Sequence, residues 1–101
     1  MRIIVFFDLP TLTKQELRQY TKFRKDLLSQ GFVMMQKSVY SKIALNNTAA
    51  EMMKANLRKN KPKSGIVQIL VITEKQYQGI EFLIGEGQSE VIDTQQRLVI
   101  I

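Results

Sequence analysis

The sequence predicts an α+β fold, an antiparallel sheet carrying two helices on one face. Three observations lead there. Residues 2–8 (RIIVFFD) and 66–72 (IVQILVI) are dense in β-branched and aromatic residues. Two intervening segments carry apolar residues at helical spacing behind capping signals. The segments follow one another as β-α-β(β)-α-β, with small additions after them, and that order is the ferredoxin-like pattern.

The first strand covers residues 2–8, and its run Ile3 to Phe7 is apolar on both faces. Pro10 ends it, because proline cannot extend the hydrogen-bond ladder. Thr13 and Glu16 match a capping box and open a helix that runs to about Ser29, with Gly31 as its C′ residue. Residues 32–43 (FVMMQKSVYSKI) are strand-like but long. They are either one bent strand or two short strands with a tight turn near Gln36 and Lys37, where neither Gly nor Asn signals a reversal. Asn46, Asn47 and Thr48 offer caps for a second helix, and Thr48 with Glu51 matches a second capping box. Pro62 and Gly65 stop that helix. Residues 66–72 form the next strand, Thr73 to Gln78 one helical turn, residues 80–85 (IEFLIG) a shorter strand, and RLVII a terminal one. Residues 1–85 are thus the expected ferredoxin-like domain, and 86–101 a C-terminal segment whose strand packs on a sheet edge or a partner.

The strands also predict the assembly. A sheet with helices on one face alternates apolar and polar residues if its other face meets water. Ile3–Phe7 and Ile66–Ile72 show little alternation, and 101 residues leave no helix to cover the second face. The simplest cover is a second copy, a homodimer joined through the sheets. The chain's own C-terminal segment is the other candidate.

Composition removes much of enzymology. The chain has no His and no Cys, hence no imidazole acid or base, no Cys-His or Ser-His pair and no thiolate metal site. Any metal is held by oxygen, which leaves Mg²⁺, Mn²⁺ or Ca²⁺ as the candidates. The apolar run before Asp8 is five residues, too short for a signal peptide or a membrane span, so a cytoplasmic location without membrane contact is expected. The net charge of +6 divides unevenly: residues 1–63 hold thirteen basic and four acidic groups, and residues 64–101 two basic and five acidic. A basic part of this kind suits a polyanion.

At 100° per residue, Leu17, Tyr20, Phe23, Leu27 and Leu28 share one arc of the first helix, and Lys14, Arg18, Lys22 and Lys25 lie opposite within about 80°. The second helix repeats the scheme, with Ala50, Met53 and Leu57 inside and Lys54, Arg58 and Lys61 outside. A cationic stripe of this kind is either a solvated face or a phosphate-facing one. With no aromatics interleaved, it suits the backbone of double-stranded nucleic acid better than stacked bases. Arg24 falls inside the apolar arc, where its guanidinium either snorkels to the edge or pairs with Asp8 or Asp26 across an interface. Asp8 closes an apolar strand and either begins an Asx-turn or does chemistry. A lone carboxylate is a poor metal site, but two copies of Asp8 across a two-fold axis would share a proton or a cation, and that cation could activate water for phosphodiester cleavage.

The segments FDLP, TKQELRQYTKFRKDLLSQGF, MQKSVYSK, NNTAAEMMKANLRKNKP, GIVQILVITEKQY and QRLVII resemble, in order, the small CRISPR-associated protein 2 family. They are most similar to members encoded beside a single large effector nuclease. The resemblance covers nearly the whole chain, and it is the ordered set that is specific. It implies a ferredoxin-like homodimer whose terminal strand adds to a sheet edge. It also implies a metal-dependent endonuclease acting on RNA or DNA, and the central dimer of a spacer-integration complex between two dimers of the CRISPR integrase subunit. On that resemblance Asp8 is the catalytic and metal residue. Lys14, Arg18, Lys22 and Arg24 face the protospacer duplex, and Ser38 is the family's Ser after the second strand. Ser38 has a plain alternative role, satisfying backbone near the turn. The chain ends on an apolar strand without the polar tail of some members, which leaves the integrase-docking end open. Outside the family, the remaining reading is a ferredoxin-like RNA-binding module or small-molecule sensor. Phe6, Phe7 and Tyr40 do not stand in the exposed strand motif that such RNA binders use.

Overall fold

A computed structural model describes residues 1–86. It contains β1 (Arg2–Asp8), α1 (Lys14–Ser29), β2 (Val33–Gln36), β3 (Val39–Ile43), α2 (Asn47–Lys59), β4 (Ile66–Ile72) and α3 (Glu74–Gln78). The four strands make one antiparallel sheet in the order β2-β3-β1-β4. The expected α+β order is therefore present. Residues 32–43 are two strands, reversing at Lys37 and Ser38, with a register irregularity between Met34 and Gln36. Ser38 supplies the reversal by taking φ 66°, the left-handed region that Gly or Asn would enter at lower cost.

β1 is paired along both edges, with Val5 opposite Tyr40 on one side and Ile69 on the other. Strand alternation sends Ile3, Val5 and Phe7 to the helix side and Arg2, Ile4, Phe6 and Asp8 to the outer side. On the helix side, Ile3, Val5, Phe7, Tyr40, Phe23, Leu27 and Leu57 form the core, joined by Val67, Ile69 and Val71. Phe7 sits at its centre, edge-on to Phe23 with ring centroids 5.1 Å apart and stacked with Tyr40 at 5.7 Å. Each such pair adds roughly 0.5–1.5 kcal/mol beyond area burial.

α1 begins as expected. The Thr13 side chain accepts from Glu16 N–H, and the Glu16 carboxylate accepts from Thr13 N–H. Gly31 follows the C-cap Gln30 with φ 92°. The buried arc of α1 is narrower than the sequence suggests. Phe23 and Leu27 are buried and Tyr20 half-buried, but Leu17 and Leu28 are exposed. Each lies about 80–100° round the helix from Leu27, past the edge of the sheet. α2 starts at Asn47, with Asn46 accepting from Ala49 N–H. The Thr48–Glu51 box is not formed, because the earlier Asn cap already takes that role and Glu51 instead pairs with Lys54 at 3.2 Å.

Residues 80–85, expected as a strand, are an irregular segment. Phe82, Leu83 and Ile84 are exposed there, and no described strand pairs with the segment. The terminal strand RLVII and residues 87–101 in general lie outside the described residues. α3 does form, with a reciprocal box between Thr73 and Gln76. Arg2 Nε donates to both oxygens of Glu74 at 3.0 and 3.2 Å, and its guanidinium lies 4.0 Å from the centre of the Tyr77 ring. That contact holds α3 against the first residue of the central strand.

One cation closes the helix–sheet joint. α1 has no basic residue in its last turn. Lys42 of β3 reaches across instead and donates to the Gln30 carbonyl. A charge at that end offsets the helix dipole and one orphan carbonyl. Lys42→Met keeps the aliphatic stem and removes the ammonium. It is expected to lose about 1 kcal/mol, which lowers the melting temperature by roughly 4–8 °C in a domain of this size. A melt recorded by circular dichroism checks this, and an unchanged midpoint would leave Lys42 without a structural role.

Candidate functional site

Two of the expected site residues, Asp8 and Ser38, lie at the ends of the sheet strands. Asp8 is the last residue of β1, pairs with Ile66 and is exposed. Two features fix it. Phe7 N–H donates to the Ser38 carbonyl at 3.0 Å, tying the β2–β3 turn to the residue before Asp8. On the other side the chain entering β4 crosses close at Gly65, which has φ 94°. A Cβ there would sit 2.7 Å from the Asp8 carbonyl oxygen and 2.7 Å from Leu9 Cδ2. Only glycine allows both the left-handed backbone and the contact.

Asp8, Lys37 and Ser38 line two adjoining clefts. One, of about 370 Å³, opens on the outer face between Phe6, Val39, Ile66 and Gln68. The other, of about 390 Å³, opens on the helix side between Leu9, Thr11, Leu17 and Tyr20. The structure thus brings two of the expected site residues, Asp8 and Ser38, together. Lys37 joins them, and sequence reasoning passed over it. The signal was available in the register: a turn at Gln36 and Lys37 must lie beside the far end of β1.

The expected nucleic-acid residues lie elsewhere. Lys14, Arg18, Lys22, Arg24 and Lys25 are exposed along α1, and none forms an ion pair among the described residues. Arg24 therefore pairs with neither Asp8 nor Asp26 of its own chain; it stands at the exposed edge of the arc. On α2, Arg58 is exposed, whereas Lys54 is half-buried and neutralised in part by Glu51. Lys14, Arg18, Lys22 and Lys25 turn away from the sheet because the helical repeat that puts Phe23 and Leu27 into the core puts them opposite, whereas Arg24 and Lys54 lie about 60° from a core residue, at its edge.

The outer sheet face is apolar. Val33, Ile43, Ile66 and Leu70 are exposed on it, around a buried Ile4. At its centre the buried Ser41 hydroxyl has no hydrogen-bond partner.

A family model described as CRISPR associated protein Cas2 matches residues 1–80. The chain belongs to this family. A relative from Treponema denticola, named CRISPR-associated endoribonuclease Cas2, is 48% identical over 101 residues, covering all of both chains. Relatives of the same name from Streptococcus mutans serotype c and Ligilactobacillus salivarius are 48% and 41% identical over 101 residues, covering this whole chain and 93% and 100% of their own lengths. The Cas2 family is a CRISPR component, and the ferredoxin-like order seen here is its fold. No described helix is long and apolar enough to cross a membrane.

Among the described residues, few side chains could hold a divalent cation. No group of three acidic side chains that could enclose a metal occurs among the described residues. Asp8 is the lone carboxylate in both clefts, and Lys37 stands beside it. Mg²⁺ usually takes one or two carboxylates with water and substrate phosphate, and Asp8 is the one carboxylate these clefts supply for it.

Gly65 is the test of how Asp8 is held. Gly65→Ala is expected to cost about 2 kcal/mol or more, from left-handed strain and the backbone clash. It should also perturb the amide resonances of Asp8 and Leu9 beyond those of the far strand ends. Both are read from a thermal melt and an NMR amide spectrum, and native stability with unmoved resonances would contradict the close approach.

Proposed function

We propose that the chain is the spacer-acquisition subunit of a CRISPR system, a cytoplasmic dimeric scaffold that holds a protospacer duplex by its phosphates and bridges integrase dimers. The exposed, unpaired cations of α1 carry this reading. Lys14 to Lys25 span about 16 Å of helix, the rise of roughly five base pairs. No exposed aromatic is interleaved with them, which favours the sugar–phosphate backbone over base stacking. Arg24 on α1 and Arg58 on α2 are further exposed cations, and Lys54 on α2 is a half-buried one. The apolar outer face supports a second copy of the chain as its cover, because a monomer rarely leaves such a face to water. In this reading residues 1–85 are the duplex-holding domain, and 86–101 the segment that meets a sheet edge or the integrase.

The Asp8 cleft favours a second reading, a metal-dependent endonuclease, in keeping with the names of the relatives. Asp8 from each of two copies would hold Mg²⁺ or Mn²⁺, and such an ion supplies a lowered water pKa and a counter-charge to the phosphate. Ser38, beside Asp8, offers a hydroxyl to the same phosphate.

The two readings separate in one experiment on the full chain. Lys14→Ala, Arg18→Ala and Lys22→Ala combined should weaken binding to a 30-base-pair duplex about tenfold or more, equally for unrelated sequences, and lower the salt slope by about 2–3. Asp8→Ala should leave duplex binding within about twofold and remove any metal-dependent cleavage. A triple variant with wild-type affinity and salt slope would put the duplex on another surface.

A further inference from the structure

Lys37 is the one charged group in the Asp8 clefts that the readings above leave without a task. It occupies the two-residue turn between β2 and β3, and that turn is not a loose loop. Ser38 holds a left-handed φ of 66° and its carbonyl is bound to β1 one residue before Asp8. A non-glycine residue kept in that conformation costs of order 1 kcal/mol or more, and such strain often attends a site. Lys37 is exposed and forms no ion pair with Asp8 or any other described residue, so its ammonium is available to a ligand.

We propose that Lys37 grips a phosphate of a single-stranded nucleic-acid chain lying in the helix-side cleft, next to Asp8. The inference deepens the endonuclease reading and rests on it. A phosphodiester beside the Asp8 carboxylate is repelled unless a cation offsets the charge, and Lys37 lines the same cleft. The remaining walls are Leu9, Thr11, Leu17 and Tyr20, a mixed polar and apolar lining in which the half-buried Tyr20 ring offers a face to an unstacked base. It also gives the exposed Leu17, misplaced as a core residue, a surface to serve. About 390 Å³ is room for one nucleotide unit. Lys37 acts here by holding the strand, and the duplex on α1 is a separate surface.

The test uses the full chain and a labelled single-stranded RNA of mixed sequence. Binding is followed by fluorescence anisotropy in EDTA, and cleavage is then followed with Mg²⁺ or Mn²⁺. Lys37→Ala should weaken RNA binding about tenfold and lower the salt slope by about 0.7, the value for one phosphate on a single strand. Lys37→Arg should stay within about threefold of wild type, and duplex DNA affinity should not move with either variant. Wild-type RNA affinity in Lys37→Ala, or an equal loss for RNA and duplex, would overturn the proposal. So would Lys37→Arg behaving like Lys37→Ala. If the wild-type chain binds RNA but never cleaves it, the endonuclease reading fails on its own, while the binding arm still decides the role of Lys37.

Discussion

β1 is hydrogen-bonded on both edges and apolar on both faces, and the rest of the molecule is arranged by that constraint. Its helix-side residues Ile3, Val5 and Phe7 are closed over by α1 and α2. Its outer residues Ile4 and Phe6 lie in a row with Leu70, Val39 and their neighbours, where the chain provides no described helix beyond the short α3. A strand buried on both sides needs two covers. The described residues build one, and the outer face among them is left with the composition of an interface. The same strand ends abruptly at Asp8, between the Ser38 turn and the Gly65 contact, so the candidate site is positioned by the most constrained element of the fold.

Charge is sorted by the same geometry. The helical repeat that buries Phe23, Leu27 and Leu57 forces the α1 and α2 cations outward, where a polyanion can meet several at once. Arg2 and Lys42 are the exceptions. Both lie on strands and are spent inside the structure, one on Glu74 and Tyr77 and the other on the end of α1. Net charge alone does not distinguish these two kinds of cation; position in the repeat does.

Much of the fold was legible because its signals are local. The Thr13–Glu16 box, Gly31, Pro10 and the β-α-ββ-α-β order depend on neighbours in sequence. What was missed depends on neighbours in space. Thr48 and Glu51 have the spacing of a box, but Asn46 had already capped the helix. Leu17 and Leu28 have the periodicity of core residues, but the sheet ends before it reaches them. Residues 80–85 have strand composition, yet strand pairing requires a partner that no described element provides. Asp8 stands out in the sequence because a carboxylate at the end of an apolar strand is conspicuous. Lys37 does not, because one lysine among fifteen basic residues stands out only once the turn is seen against β1.

The central claim is that the outer sheet face belongs to a second copy of the chain. The most direct measurement is the mass of the full chain in solution by sedimentation equilibrium at micromolar concentration, with Leu70→Lys alongside. The account predicts twice the 11.7 kDa of one chain for the wild type, and a shift toward a single chain for the variant as a charge enters the apolar face. A wild-type mass of one chain, or a dimer indifferent to Leu70→Lys, would contradict it.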